Sequence, residues 1–578
     1  MDTLLFAFAN QPAAPLPSLQ EEDDTLTRLL APRAKSQHFL LHRESFATVE
    51  RLPSYLTLYR DSLALFLFSG HAGRDRLLLG DGAAHAAGLA QMLGQCPRLR
   101  LVVLNGCSTD GQVRDLLAAG VPVVVATSAP VDDRRATSFS SRFFEALQQQ
   151  FTVREAFEMA QAALLTQYPD FKAEQHRSIG GFDTPPEAAT WGLFTTEKTA
   201  HHLDWKLPLA AAAPAVAANF TPNLRLVEVL FKALSSHNDE IRKLYEQDQR
   251  KVQPVSLPTK RLKIINALPA PLAEPIRKLL VPIEQENEGY DKVSEARVRQ
   301  IAAAYNTSME LLGFTMLAQL WEAFYQDDPP KIGEAQSQYL QFFFRLPKAE
   351  REVFDFLELI KTVKAVFDRN RIGYFVQELA DLSRLIQEDV DFAESVQFLN
   401  GLRLQVRQYA PDASALAYLS QRGEECLAYL YSKLGFMARY RLATVQGIDV
   451  EKYRHRREPG YSHNTAILHD LQGGFALTPI HLAKPLDNRS ILLVNEETWD
   501  YLNLSPFVVD ENAFIPRTDV TKLFFFSHYL PAADTCCFKY VNKPDDEPLL
   551  VSAEHLPLVK EQMDAFAQLL FGRDLHAL

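Results

Sequence analysis

Two hydrophobic patterns alternate along the first 198 residues. Short continuous apolar runs, TLLFAFAN (3–10), FLLHRESF (39–46), LALFLFSG (63–70), LRLVVLNG (99–106) and VPVVVATSA (121–129), predict buried strands. Between them lie amphipathic stretches with apolar residues three or four apart. These are LQEEDDTLTRLLAPRA (19–34), SYLTLYRD (54–61), AAHAAGLAQMLGQ (83–95), DGQVRDLLAAG (110–120) and RRATSFSSRFFEALQQQ (134–150), and they predict helices. Asp132 or Asp133 is placed to cap the last of them. Strands that are apolar on both faces, alternating with helices, imply a mostly parallel sheet between two helical layers.

The pattern changes twice further on. Residues 199–223 include LAAAAPAVAANFTPN and read as an Ala/Pro-rich linker. Residues 224–452 are expected to form an all-helical domain, with VSEARVRQIAAAYNTSMELLGFTMLAQLWEAFYQD and EREVFDFLELIKTVKAVFDRN as its clearest helices. Residues 453–578 carry short strand-like runs between turn residues (ALTPIHL, SILLVN, PFVVDE, KLFFFSHYL, CCFKYVN) and a closing helix, HLPLVKEQMDAFAQLLFG. They read as a small β-rich α+β domain.

Composition narrows the functional classes. The 578 residues are 47% hydrophobic and 23% charged, with a net charge of −12. A general attraction to nucleic acid or anionic membrane is therefore not expected. The basic KYRHRREPG (452–460) is the local exception and reads as a solvated linker. Cys96, Cys107, Cys426, Cys536 and Cys537 share no repeated spacing and form no CxxC pair, so neither a disulfide framework nor a zinc site is expected. His455, His463, His469 and His481 fit no single helical face, and no metal or other cofactor is expected. The opening MDTLLFAFANQP lacks a basic segment and a cleavage site, and its apolar run is too short to span a membrane. A reducing cytoplasm is the expected compartment.

Two strand ends carry candidate chemistry. LALFLF ends in Ser-Gly-His-Ala-Gly at His71, and LVVLN ends in Gly-Cys-Ser-Thr-Asp-Gly at Cys107. Both side chains are expected at the carboxyl edge of the sheet, where open parallel sheets gather their reactive groups. The stretch between them is long enough for a strand-helix-strand crossover that makes the two strands neighbours. An imidazole beside a thiol takes its proton or stabilises the thiolate, giving a nucleophile. The helix that follows Cys107 favours the thiolate through its dipole. The amides of Ala72 and Cys107 are candidate donors to an oxyanion, and Gly70, Gly73 and Gly106 allow close approach of the backbone.

SGHAG after one strand and NGCSTDG after the next resemble the His and Cys motifs of the CHAT peptidases, caspase-like clan CD cysteine peptidases related to separase. TLLFAFAN resembles the first strand of that family. VPVVVATSAPVDDRRATSFSSRFFEAL and GGFDTPPEAATWGLFT are similar to its strand-turn-helix and closing segments. The resemblance covers residues 1–198 and implies a caspase-like sandwich, with Cys107 as nucleophile and His71 as base. The family often has Gly where Ala72 stands. Asn105 resembles a position that lines the substrate pocket in this clan; its alternative is a strand-end hydrogen bonder. Asp110 is either an acidic pocket wall or a helix cap, and Asp133 reads as structural. The stretch SILLVNEETWDYLNLSPFVV resembles β-rich C-terminal regions of bacterial defence and signalling proteins. By that analogy residues 224–578 are expected to sense, inhibit or recruit. The resemblance implies a protein substrate, with a gasdermin-like pore former as one candidate, and an activating or inhibitory protein partner. An inactive scaffold that only binds a partner is the alternative.

Overall fold

The computed structural model describes residues 2–10, 16–35, 38–49, 51–73, 75–106, 110–127, 132–168, 177–178, 191–209, 220–250, 254–281, 289–408, 410–411, 413–468, 477–482, 484–515 and 522–577. Its contacts divide the chain into two compact units. One comprises residues 1–215 with 404–415, and the other residues 216–403 with 416–578.

The first unit is built on seven strands: β1 (Thr3–Ala9), β2 (Leu40–Glu44), β3 (Leu63–Gly70), β6 (Leu101–Asn105), β7 (Val123–Thr127), β8 (Arg177–Ser178) and β9 (Trp191–Thr195). They lie in the order β2-β1-β3-β6-β7-β9-β8. All neighbours are parallel except β7 and β9. Alternate residues of β1 point to opposite faces. Leu4, Phe6 and Phe8 pack with α1 (Leu19–Lys35), α5 (Asp133–Gln148) and α6 (Val153–Gln167). Leu5, Ala7 and Ala9 join the cluster formed by α2 (Arg51–Leu58), α3 (Ala86–Gly94) and α4 (Asp110–Ala118). This is the caspase-like α/β sandwich, with the strands β1, β3, β6 and β7 apolar on both sides for most of their length because both faces are covered.

Two elements of this unit were hidden in the pattern. Residues 83–85, expected at the start of a helix, instead form β5 (Gly82–His85) of a hairpin with β4 (Arg76–Leu79), closed by the two-residue loop Gly80–Asp81. Helix α6 starts in a capping box, in which Thr152 and Glu155 bond each other's backbone N–H. Asp132 caps α5 by accepting from Arg134 N and Arg135 N. Asp133 accepts from Ser18 N at 2.7 Å and so ties the start of α5 to the start of α1.

The second unit contains many helices followed by a β-rich region. Its helices Leu224–Leu234, Glu295–Phe324 and Leu416–Lys433 meet at an internal ion pair. Arg297 Nη2 lies 2.6 Å from Glu424 Oε2, with both side chains almost wholly buried. Glu424 also accepts from the backbone N–H groups of Asn223 and Leu226 at 2.9 and 3.1 Å, satisfying the open end of the first of these helices. Arg297 further donates to Asn223 Oδ1 and to the Tyr290 carbonyl.

Residues 440–452, expected to be helical, instead begin a long strand, Tyr440–Glu451, paired antiparallel with Gly460–Leu468. Its burial alternates through YRLAT, the period-two signal of a strand. The basic KYRHRREPG is the exposed turn that joins the two strands. EREVFDFLELIKTVKAVFDRN is two helices, because Asp355 accepts from Leu357 N and starts the second. His463 is fully used inside the sheet: its Nδ1 lies 3.2 Å from the Ile480 carbonyl, and its Nε2 accepts from Leu486 N at 3.0 Å. Glu451 is 3.5 Å from His481, and His469 lies outside the described residues. Among the described residues no helix is long and apolar enough to cross a membrane.

Removing one member of the internal ion pair strands the other in the interior. Arg297→Met is expected to cost ~3–5 kcal/mol in chemical denaturation. Arg297→Met combined with Glu424→Leu is expected to cost less than the sum of the two single changes.

Candidate functional site

The carboxyl edge of the first sheet is assembled by the pairing of β3 with β6. Their register runs from Leu65 opposite Leu101 to Ser69 opposite Asn105, a constant offset of 36 positions. The same offset separates His71 from Cys107 in the sequence. The sheet's winding reverses one strand away, between β1 and β3. From β1 the chain first adds β2 on one side and then β3, β6 and β7 on the other, and such switch points are where doubly wound sheets place ligands.

The glycines at these strand ends answer to close packing. Gly70 has φ +155°, and a Cβ on it would lie 2.5 Å from the Ala9 carbonyl oxygen of β1. A Cβ on Gly106 would meet both Ala72 Cβ and the Gly70 carbonyl oxygen at 2.7 Å, with Ala72 N at 3.5 Å. Gly73 is different, since a Cβ there meets nothing closer than Arg76 Cγ at 3.7 Å.

His71 is half-buried at the end of β3, and its segment is held from two sides. Ala72 bridges antiparallel to Leu77. Leu78 N donates to the His71 carbonyl at 2.9 Å, and Gly73 N donates to the Arg76 carbonyl at 2.8 Å. In that pattern the Ala72 N–H takes no part, and among the described residues it has no acceptor. From the other side, the buried Gln112 of α4 donates to the Gly73 and Arg76 carbonyls at 2.8 and 3.3 Å. Gln112 thus joins the helix after Cys107 to the loop that carries His71. A lone interior glutamine offers no sequence signal for such a role.

Cys107 lies outside the described residues. The residue before it is held firmly, because Thr127 at the end of β7 donates its hydroxyl to the Gly106 carbonyl. Helix α4 begins at Asp110, whose side chain is outside the described residues.

Asn105 departs from the pocket role expected of it. It is only 3% exposed. Its Nδ2 donates to Glu22 Oε1 at 2.9 Å and to the Ala136 carbonyl at 3.1 Å, and its Oδ1 accepts from Trp191 Nε1 at 3.3 Å. A buried amide with its oxygen and nitrogen both engaged has little left for a substrate side chain. Its alternative role, a hydrogen bonder at the strand end, is the one these distances describe.

Glu22, which sequence reading passed over as one acid in an acidic helix start, sits at the centre of this network. It is 1% exposed. Ser69 Oγ donates to its Oε2 at 2.8 Å, and the nearby Ser140 hydroxyl, which donates to the Ala136 and Thr137 carbonyls at 3.1 and 3.2 Å, also favours the carboxylate. Burial pushes its pKa up to about 7; the donors Ser140, Ser69 and Asn105 pull it down, and Asp133 adds to the rise.

Two outcomes follow from these contacts. Gly106→Ala forces a methyl group against β3 and is expected to destabilise by ~1–3 kcal/mol, whereas Gly73→Ala is expected to fall within about 0.5 kcal/mol of wild type; thermal unfolding separates the two. The second concerns pH. Native Glu22 keeps its proton up to about 7, while the unfolded carboxyl loses it near 4.5. Wild type is therefore expected to lose stability relative to Glu22→Gln as pH rises through that window, and to level off above it. Denaturation midpoints of both proteins at pH 5 and pH 8 check this.

No curated protein matches the chain. The family model of the CHAT domain matches residues 3–217, so this N-terminal part of the chain belongs to the CHAT domain family, within the caspase-like peptidase superfamily.

Proposed function

We propose that the chain is a regulated cysteine endopeptidase acting on a protein substrate. The observation that carries this reading is the parallel β3–β6 ladder. Its constant offset leads SGHAG and NGCSTDG to one edge of the sheet. His71 takes the thiol proton of Cys107, and the thiolate attacks the carbonyl carbon of the scissile peptide. The tetrahedral oxyanion is held by backbone N–H groups, with Ala72 as one donor and Cys107 itself as the other. Collapse breaks the C–N bond, and the leaving amine receives the proton from the imidazolium. Water, deprotonated by His71, then hydrolyses the thioester and regenerates the thiol. The Ala72 amide, which has no acceptor among the described residues, supports its part in this scheme, since its N–H needs no rearrangement to donate. No cofactor enters any step.

The domain division belongs to the same proposal. Residues 1–198 carry the peptidase, 199–223 link it onward, and 224–452 and 453–578 regulate it or bind a partner. Bacterial defence is the proposed setting, with a gasdermin-like pore former as a candidate target and the cytoplasm as the compartment. Control by an activating or inhibitory protein suits a peptidase that would otherwise act on its host. A hole or groove completed only when the partner binds provides such control.

Cys107→Ala and His71→Ala are each expected to reduce substrate cleavage to background while far-UV circular dichroism and melting temperature stay near wild type. Comparison of protein termini in cells producing wild type or Cys107→Ala identifies the target. Cleavage by a folded Cys107→Ala protein, or the absence of any Cys107-dependent cleavage or electrophilic-probe adduct with and without cell extract, would leave a partner-binding scaffold as the correct reading.

A further inference from the structure

The side chain that bonds both strand ends under the site belongs to neither motif. Glu22 stands on α1, one layer below the sheet, and its carboxyl reaches both strands that lead to the dyad. Oε2 takes the Ser69 hydroxyl, on the next-to-last residue of β3, and Oε1 takes the Asn105 amide, on the last residue of β6. Ser69 and Asn105 are also the last pair in the β3–β6 register, so the carboxyl spans the ladder where its backbone hydrogen bonds run out. Beyond that pair come Gly70 and Gly106, packed so closely that neither has room for a methyl group.

We propose that Glu22 is a positioning residue of the site: one buried carboxyl that ties the end of β3 to the end of β6 and sets the spacing of His71 and Cys107. The inference rests on the dyad reading given above.

The surroundings of Glu22 explain why a carboxyl, and not an apolar side chain, stands there. Facing it are Ser69 from β3, Asn105 from β6, and Ser140 and Asp133 from α5. Its neighbour on α1, Asp23, is engaged by Arg43 at 2.6 Å. Among the described residues no cation pairs with Glu22, so its charge is met by neutral donors alone. Such an acid is costly to bury and is retained only where its bonds do something an apolar group cannot. Here they join two strand ends that, among the described residues, carry no other side-chain hydrogen bond to α1. Both protonation states can keep the link. The carboxylate accepts from Ser69 and Asn105. The acid donates to Ser69 Oγ, whose own hydroxyl has the Asn105 carbonyl 3.4 Å away as a second acceptor. Glutamine reproduces the second arrangement, with its oxygen toward Asn105 Nδ2 and its amide toward Ser69; alanine reproduces neither.

The experiment follows the rate at which iodoacetamide alkylates Cys107 in the full-length protein, read on the Cys107 peptide by mass spectrometry from pH 5.5 to 9. Wild type, Glu22→Gln, Glu22→Ala, Ser69→Ala and His71→Ala are compared below their melting temperatures. A thiolate stabilised by His71 reacts below the pH range of an ordinary thiol. Glu22→Ala is expected to slow alkylation at pH 7 by roughly 10-fold or more and to move its pH profile toward that of His71→Ala. Glu22→Gln is expected to stay within about 3-fold of wild type, a rescue that loss of packing alone would not produce. Should Glu22→Ala fail to fold, Ser69→Ala, which cuts one arm of the tie, is expected to shift the profile in the same direction. A His71-dependent profile that neither Glu22→Ala nor Ser69→Ala alters overturns the role of Glu22 and leaves the dyad standing. If His71→Ala itself leaves the profile unchanged, the dyad reading fails and the positioning role fails with it.

Discussion

The carboxyl ends of β1, β3 and β6 approach one another closely only because two residues there, Gly70 at the end of β3 and Gly106 just after β6, have no side chain. Gly70 and Gly106 occupy the point where β1, β3 and β6 converge, and a Cβ on either would collide with backbone or with Ala72. Everything distinctive about the carboxyl edge of the sheet follows from that approach. It brings Ala72 against Gly106, sets the His71 segment beside the start of α4, and lets Gln112 reach back to the Gly73 and Arg76 carbonyls. Turn flexibility is a secondary matter at these positions. Gly73, the glycine most easily read as a hinge, has ordinary space around it.

A second constraint lies below the first. A parallel ladder ends abruptly, and the residues beyond it need other partners. On the apolar interior side those partners are polar: Glu22, Ser69, Asn105, Ser140 and Trp191 form one connected network beneath the strand ends. The second unit uses the same device in a different chemistry. There Arg297 and Glu424 neutralise each other and also satisfy the backbone around Asn223. Buried polar groups of this kind contribute little net stability, but removing one partner is costly because the other is left unsatisfied. In the CHAT domain the network lies directly under the strands that lead to the proposed dyad.

Much was legible in the residue pattern, and for identifiable reasons. Strands such as TLLFAFA and LALFLFSG are apolar on both faces, a signal that survives without any knowledge of their neighbours. The family resemblance rested on two short glycine-flanked motifs, and the CHAT family model matches the same part of the chain. The elements that escaped were those whose local pattern is ambiguous. RLLLGDGAAH holds enough alanine and leucine to pass as the approach to a helix, yet Gly80–Asp81 closes it into a hairpin. YRLATVQGIDVE follows a long helical stretch and becomes a strand because Gly460–Leu468 pairs with it from Leu442 to Glu451 and Ser490–Asn495 pairs with its first half.

The sequence by itself determined the layered α/β architecture of the first unit, the helical and β-rich character of the remainder, and the two strand ends where His71 and Cys107 stand. Periodicity and glycine placement are local properties, and a single chain displays them directly. Only the tertiary structure decided the roles of Glu22, Asn105 and Gln112. Nothing local distinguishes Glu22 from its neighbours in QEEDD, or Asn105 from any polar residue that ends a strand. Their roles come from partners 47 and 83 positions away for Glu22, and 39 positions away for Gln112. Burial, which raises the Glu22 carboxyl to about 7 and engages both ends of the Asn105 amide, is a property of the packed layers and of no stretch of sequence alone.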